Sequence, residues 1–107
     1  MVKTLNNKKG NIPFPKEKYQ KLMAENLAML RTKLNLTQEE IAELIGGSRQ
    51  TISLLERGVR PMMWDTFICL LFVFQNNDAT RPMLPVLGLY TPELINYMNI
   101  TDLKKLK

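Results

Sequence analysis

The chain has 107 residues, of which 45% are hydrophobic and 23% charged, and its formal net charge is +5. This length provides one domain with a modest core and excludes two independently folded domains. The chain has no histidine and a single cysteine, Cys69, which excludes an intramolecular disulfide and leaves zinc and thiolate chemistry without their usual residues.

Residues 1–14 are polar and basic, and Gly10 and Pro13 interrupt them, which predicts a flexible basic arm. Pro15 then suits the first turn of a helix, because its fixed φ matches the helical value. Apolar residues follow at helical spacing and predict a first helix that ends at about Lys33. These apolar residues are Tyr19, Leu22, Met23, Leu27 and Leu30.

Residues 37–57 have the pattern of two short helices joined by a tight glycine turn. Thr37 is suited to cap the first helix, and Glu40, three residues later, is placed to form the reciprocal bond of a capping box. Gly46 follows the last apolar residue and suits the left-handed conformation that ends a helix. Ser48 is the expected N-cap of the next helix.

Four apolar residues are expected to hold these two helices together. Ile41 and Ile45 lie one turn apart on the first helix, and Ile52 and Leu55 lie three residues apart on the second. When these pairs pack against each other around the turn, the second helix presents its other side to solvent. The residues expected on that side are Arg49, Gln50, Ser53 and, in one interpretation, Leu54.

The stretch from Met63 to Phe74 is hydrophobic on nearly every face, which predicts a helix that is covered on nearly every side. Cys69 lies inside it and is expected to be a small core residue. The apolar run that starts at Phe67 is eight residues long, far below the roughly 20 that a membrane helix needs. The N-terminus lacks the apolar segment of a secretion signal, so the reducing cytoplasm is the expected location.

Two shorter helices are predicted towards the C-terminus. Thr80 is a candidate N-cap for a short helix that ends by Gly88, and Thr91 is a candidate N-cap for a last helix that ends at about Asn99. No strand pattern or internal repeat is visible, so the chain is predicted to be all-α.

The two-helix pattern resembles the XRE family, which includes the Cro and C1-type repressors of phages. The similarity covers about residues 26–75 and depends on capping, glycine and apolar residues that recur in register. They are Leu36-Thr37-Gln38-Glu39-Glu40-Ile41-Ala42, Gly46, Ser48-Arg49-Gln50-Thr51-Ile52-Ser53, Glu56-Arg57-Gly58 and Pro61. Gly47 departs from the family, which usually has Val, Thr or Met at this position, so a looser turn is predicted.

The resemblance implies an all-α fold, a lambda-repressor-like helix-turn-helix bundle with additional C-terminal helices, that binds double-stranded DNA. In such proteins the second helix of the pair, here residues 48–56, enters the major groove. The candidates for base contacts are Arg49, Gln50, Ser53 and Leu54. The candidates for phosphate contacts are Gln38, Ser48, Thr51, Arg57 and Arg60. Arg31 and Glu56 match a structural ion pair of the family.

Each assignment has a plainer alternative. Arg49 and Gln50 are otherwise exposed polar residues at a helix start, and Gln38 is otherwise a good helix former. Leu54 either touches a thymine methyl group or packs under the loop after Gly58. The lysines of the arm either follow a DNA groove or are simply solvated, and these are Lys3, Lys8 and Lys9.

The positive charge is concentrated at the N-terminus. Residues 1–35 contain eight Lys or Arg and two Asp or Glu, residues 36–61 contain three and four, and residues 62–107 contain four and four. The helix-turn-helix segment is therefore slightly acidic. Attraction to phosphates has to come from the basic arm and from individually placed arginines, which are Arg49, Arg57 and Arg60.

These observations predict a transcriptional regulator, with repression as the favoured role. The expected organisation is the arm (residues 1–14), a DNA-binding domain (15–75) and a C-terminal helical extension (76–107) that is the candidate for dimerisation. A homodimer is expected because one helix contacts too few base pairs for selectivity, and the surplus apolar surface of residues 62–99 is the expected place of its interface. Two alternatives stay open: an antitoxin that also binds a toxin protein, and a protein-interaction module that has lost DNA binding.

No enzymatic activity, metal or cofactor is expected. The sequence has no glycine-rich phosphate loop and no pair of carboxylates isolated in an apolar setting, so it lacks the usual residues for phosphoryl transfer and for general acid and base chemistry. A cytoplasmic protein encoded by a bacterium or a phage fits the resemblance.

Overall fold

The computed structural model describes residues 14–99. Within this range the chain forms six helices and no strand, which confirms the all-α prediction. The helices are α1 (Lys16–Lys33), α2 (Gln38–Leu44), α3 (Arg49–Glu56), α4 (Trp64–Gln75), α5 (Met83–Val86) and α6 (Pro92–Tyr97). The predicted basic arm lies outside the described residues, except for Phe14.

The chain divides into two compact units. The larger, Lys16–Leu89, contains α1 to α5. The described part of the other unit consists of residues 14–15 and 90–99 and contains α6. In that unit the rings of Phe14 and Tyr97 stack with their centroids 4.1 Å apart. The hydroxyl of Thr91 accepts the N–H of Leu94 at 3.1 Å, which is the predicted N-cap.

The core of the larger unit forms where α1 packs on α3 and α4 and where α2 packs on α3. The apolar face predicted for α1 is buried, although Leu22 at its margin is only half-buried. Fully burying each such side chain contributes roughly 1.5–3 kcal/mol. The core residues of α1 to α4 are Tyr19, Met23, Leu27, Leu30, Ile41, Ala42, Ile52, Leu55, Phe67, Leu70, Leu71 and Phe74.

The predictions for α4 were wrong in two respects. Cys69 is exposed and is not a core residue, and the helix is not covered on nearly every side, because Phe72 is 71% exposed. With 3.6 residues per turn, positions 69 and 72 share one side of the helix, whereas Phe67, Leu70 and Phe74 point into the core. The sequence of α4 is apolar on both sides, so periodicity does not show which side is exposed.

The predicted cap of α5 was also wrong. Thr80 is buried, and its hydroxyl donates to the carbonyl oxygen of Phe74 at 2.7 Å, so it satisfies the last turn of α4 instead. The helix α5 begins later, after Pro82, and Gly88 follows it with φ 78°. The last helix ends at Tyr97, two residues before the predicted Asn99.

The glycine turn between α2 and α3 contains two different kinds of glycine. Gly46 has φ 73°, in the left-handed region that was predicted for it. Gly47 lies outside that region, and its N–H donates to the carbonyl of Ala42 at 2.8 Å. A Cβ added at position 47 would lie 3.9 Å from Cγ1 of Ile45 and 4.0 Å from the Ala42 oxygen, which are ordinary contacts.

We therefore expect Gly47→Ala to raise the free energy of unfolding by about 0.4–1 kcal/mol, because the substitution restricts the unfolded chain without straining the turn. Gly46→Ala is the matched control and should destabilise the protein by about 1–2 kcal/mol, since alanine resists a positive φ. Denaturant titrations followed by circular dichroism measure both changes. Equal effects at the two positions would contradict this account of the turn.

Candidate nucleic-acid interface

Side-chain caps define where α2 and α3 begin. The Thr37 hydroxyl accepts the N–H of Glu40 at 3.0 Å, and the Glu40 carboxylate accepts the N–H of Thr37 at 2.8 Å, which completes the predicted capping box. The Ser48 hydroxyl accepts the N–H of Thr51 at 3.2 Å at the start of α3. The N-terminal turn of α3 therefore has a fixed backbone.

Burial on α3 shows which side of the helix is available to a partner. Ile52 and Leu55 are buried, whereas Arg49 and Gln50 in the first turn are exposed. Ser53 and Leu54 are half-buried. The backbone carbonyl of Leu54 accepts the N–H groups of Val59 and Arg60, in the loop that follows α3, at 2.9 and 3.3 Å.

An ion pair connects α1 to the last residue of α3. Nε of Arg31 lies 2.7 Å from Oε2 of Glu56, and Nη2 lies 3.2 Å from Oε1. The remaining guanidinium nitrogen donates to the carbonyl of Leu36 at 2.8 Å. The side chains are only 14% and 8% exposed. This bidentate geometry fixes the orientation of α3 on α1.

Gln38 lies beside this ion pair, in a contact that the sequence pattern does not predict. Its Nε2 donates to Oε1 of Glu56 at 2.9 Å, and its Oε1 accepts from Nη1 of Arg49 at 3.4 Å. The residues proposed from sequence for base contact, phosphate contact and structure are thus joined in one network. No local pattern predicts a bond between residues 18 positions apart.

Three of the residues proposed for phosphate contact lie together at the start of α3. The hydroxyls of Ser48 and Thr51 lie 3.0 Å apart, and Nη1 of Arg60 donates to the Thr51 hydroxyl at 3.3 Å. Arg57 is separate from this group, because its Nε donates to the Ser53 hydroxyl at 3.3 Å. The structure therefore brings together Ser48, Thr51 and Arg60, and it places Arg57 beside a residue proposed to contact bases.

Comparison with known families gives one match. Residues 27–62 match a helix-turn-helix family model of the Cro/C1 type. This segment of the chain is therefore similar to Cro/C1-type helix-turn-helix domains. The matched range begins in α1 and ends in the loop that follows α3, so it includes the ion pair and the capped α3. No curated protein and no solved structure gave a significant match to the chain.

The structure adds two observations on other kinds of site. Residues 14–99 contain no group of three or more His, Cys, Asp or Glu side chains with the arrangement of a metal site. In the same part of the chain, every helix is too short or too polar to cross a membrane.

We expect Arg31→Met to lower the free energy of unfolding by roughly 3–5 kcal/mol, because it leaves the Glu56 carboxylate buried without its positively charged partner. Arg57→Met, which removes an exposed arginine, is the matched control and should change stability by less than about 0.5 kcal/mol. Thermal and denaturant unfolding measure both variants. A small loss in Arg31→Met would show that α3 is held mainly by its apolar contacts.

Proposed function

We propose that this chain is a sequence-specific DNA-binding transcriptional regulator that acts as a repressor, with α3 in the major groove. The exposed first turn of α3, held from behind by buried Ile52 and Leu55, is the observation that supports this function. N-terminal residues of a recognition helix approach base edges in this geometry. We propose a cytoplasmic location, as expected for a regulator encoded by a bacterium or a phage.

Arg49 and Gln50 are the proposed base contacts. A guanidinium pairs bidentately with O6 and N7 of guanine, and a glutamine amide pairs with N6 and N7 of adenine. Each such pair contributes roughly 1–3 kcal/mol of discrimination against the wrong base. Ser53 and Leu54 are further along α3 and half-buried, so their contribution to base selection is smaller.

The group formed by Ser48, Thr51 and Arg60 is the proposed phosphate site. Two hydroxyls and a guanidinium provide donors for phosphate oxygens within one turn of the first base contacts. Arg57 adds a second positive charge on the exposed side of α3. Such contacts hold the protein at a fixed position on DNA and release counterions, so they increase affinity for every sequence.

A DNA-binding titration distinguishes the two kinds of contact. The preferred site is first obtained by selecting bound fragments from random DNA. Arg49→Ala should then lose roughly 1–3 kcal/mol of preference at one base pair, because one bidentate contact is removed. Arg57→Ala should weaken binding to all sequences. It should also reduce the slope of log K against log salt concentration by about the amount that one phosphate contact contributes.

Glu43→Ala, at an exposed position on α2, is the control for a change of charge outside α3. If neither arginine variant changes binding, the domain does not recognise DNA through α3. The interpretation as a protein-interaction module would then be favoured.

We propose that the protein binds as a homodimer through the exposed side of α4. One recognition helix contacts few base pairs, and two copies on half-sites about 34 Å apart double that number. On α4, Phe72 is 71% exposed and Cys69 lies one turn before it on the same side. Covering an apolar side of this kind with a second copy is favourable, because it removes apolar surface from water.

Cys69 provides a direct test, because it is the only cysteine in the chain. A thiol cross-linker with two reactive groups should trap a covalent dimer, and light scattering should give twice the monomer mass at micromolar concentration. Phe72→Asp should abolish both signals without unfolding the protein. Val86→Asp, at an 85% exposed position on α5, is the matched control.

A dimer that persists in Phe72→Asp would place the interface elsewhere. A monomer at micromolar concentration would contradict the proposal. Purification of the chain with a stably bound second protein would favour the antitoxin alternative.

A further inference from the structure

A cleft of about 690 Å³ lies between the first half of α1 and the loop that connects α3 to α4. Small-molecule sites in proteins usually have volumes of roughly 300–1,000 Å³, so the cleft has room for one organic molecule. Its apolar lining includes Leu55 and Met62, which are buried, and Ala24 of α1. Met63 is 66% exposed at its edge, and flexible thioether side chains adapt to different shapes. The apolar part of a ligand would cover this lining.

Two arginines with unused donors line the loop side of the cleft. A guanidinium has several N–H donors. Within residues 14–99, the side chain of Arg57 uses Nε alone, which donates to the Ser53 hydroxyl. In the same range, the side chain of Arg60 uses Nη1 alone, which donates to the Thr51 hydroxyl. Both arginines are exposed, so their remaining donors are available to a carboxylate, sulfonate or phosphate group.

The carboxylates around the cleft do not oppose an anion on the loop side. Arg31 binds both carboxylate oxygens of Glu56 and compensates its charge. Glu17 and Glu25 belong to the α1 side, where they are exposed to water, and Lys21 lies between them at one turn from each. The α1 side is therefore slightly negative and the loop side positive. An anionic group in the cleft is attracted to the loop side.

We propose that this cleft binds a small amphipathic anion, whose apolar chain or ring covers Leu55 and Met62 and whose anionic group pairs with Arg57. The effect of this ligand on DNA rests on the proposed function, in which Arg57 and Arg60 contact phosphates. A guanidinium that is paired with the ligand is lost to a phosphate of DNA. Ligand and DNA therefore weaken each other's binding by the same factor, and the regulator responds to a small molecule.

Two fluorescent probes test the anionic group in the full chain. Anilinonaphthalene sulfonate is an aromatic anion, and phenylnaphthylamine has the same rings without the sulfonate. Both should bind the wild type. Arg57→Met should weaken binding of the sulfonate roughly tenfold, because a charge-assisted hydrogen bond is lost, and should leave binding of the neutral probe unchanged. An equal loss for both probes, or no loss for the sulfonate, would overturn the anionic specificity of the cleft.

A second pair of variants tests the position of the site. Ala24→Leu fills the cleft and should abolish binding of both probes. Ala28→Leu adds the same side chain one turn later, at an exposed position of α1 outside the cleft, and should leave binding unchanged. Circular dichroism checks that both variants are folded. Unchanged probe binding in Ala24→Leu would place the probes elsewhere, such as on the exposed ring of Phe72, and overturn the site.

The effect on DNA is measured separately. A saturating concentration of the sulfonate should weaken DNA binding of the wild type by roughly fivefold or more. It should also reduce the slope of log K against log salt concentration, because fewer phosphates are neutralised. Ala24→Leu should bind DNA as the wild type does and should not respond to the sulfonate.

The outcomes separate the two proposals. Probe binding in the cleft without any effect on DNA binding would overturn the competition between ligand and DNA. A wild-type chain that binds the sulfonate in the cleft but has no preferred DNA site would overturn the proposed function and support the cleft as a ligand site.

Discussion

The bidentate ion pair between Arg31 and Glu56 is the constraint on which the proposed recognition surface depends. The apolar contacts of Ile52 and Leu55 bury area, but apolar attraction has no preferred direction. Two N–H···O bonds with defined geometry, between side chains that are 14% and 8% exposed, add that direction and fix α3 against α1. Direction matters here, because side chains recognise base edges only within hydrogen-bond distance.

The same ion pair changes the charge that the helix-turn-helix segment would present to DNA in the proposed complex. Residues 36–61 contain three arginines and four glutamates, so their formal charge is negative. However, the charge of Glu56 is compensated by Arg31, which lies outside that segment. The other glutamates lie on α2, whereas the arginines lie on α3 and in the loop after it. A segment with a net negative charge can therefore have a basic binding surface, because the positions of the charges determine the local potential at a bound phosphate.

The separation along the sequence between two interacting residues explains which interactions the sequence could predict. The caps at Thr37 and Ser48 involve atoms three residues apart, so a local pattern defines them. Cys69 and Thr80 were assigned wrongly, because the exposed side of α4 and the bond from residue 80 to residue 74 depend on how the chain packs. The bond between Gln38 and Glu56 spans 18 residues and forms only once α2 lies on α3. The helices of the site were predictable, and the network that orders its side chains was not.

Selectivity in the proposed complex depends on two different physical effects. The first is hydrogen-bond geometry at the start of α3, where each mismatched base pair costs roughly 1–3 kcal/mol and such costs add for separated positions. The second is burial of apolar surface on α4, where covering the exposed ring of Phe72 would stabilise the proposed dimer by roughly 25 cal/mol per Å². Because costs that add in free energy multiply in affinity, a second copy squares the discrimination that one α3 provides. A domain with a short recognition helix thus gains more selectivity from an interface on α4 than from one further contact on α3.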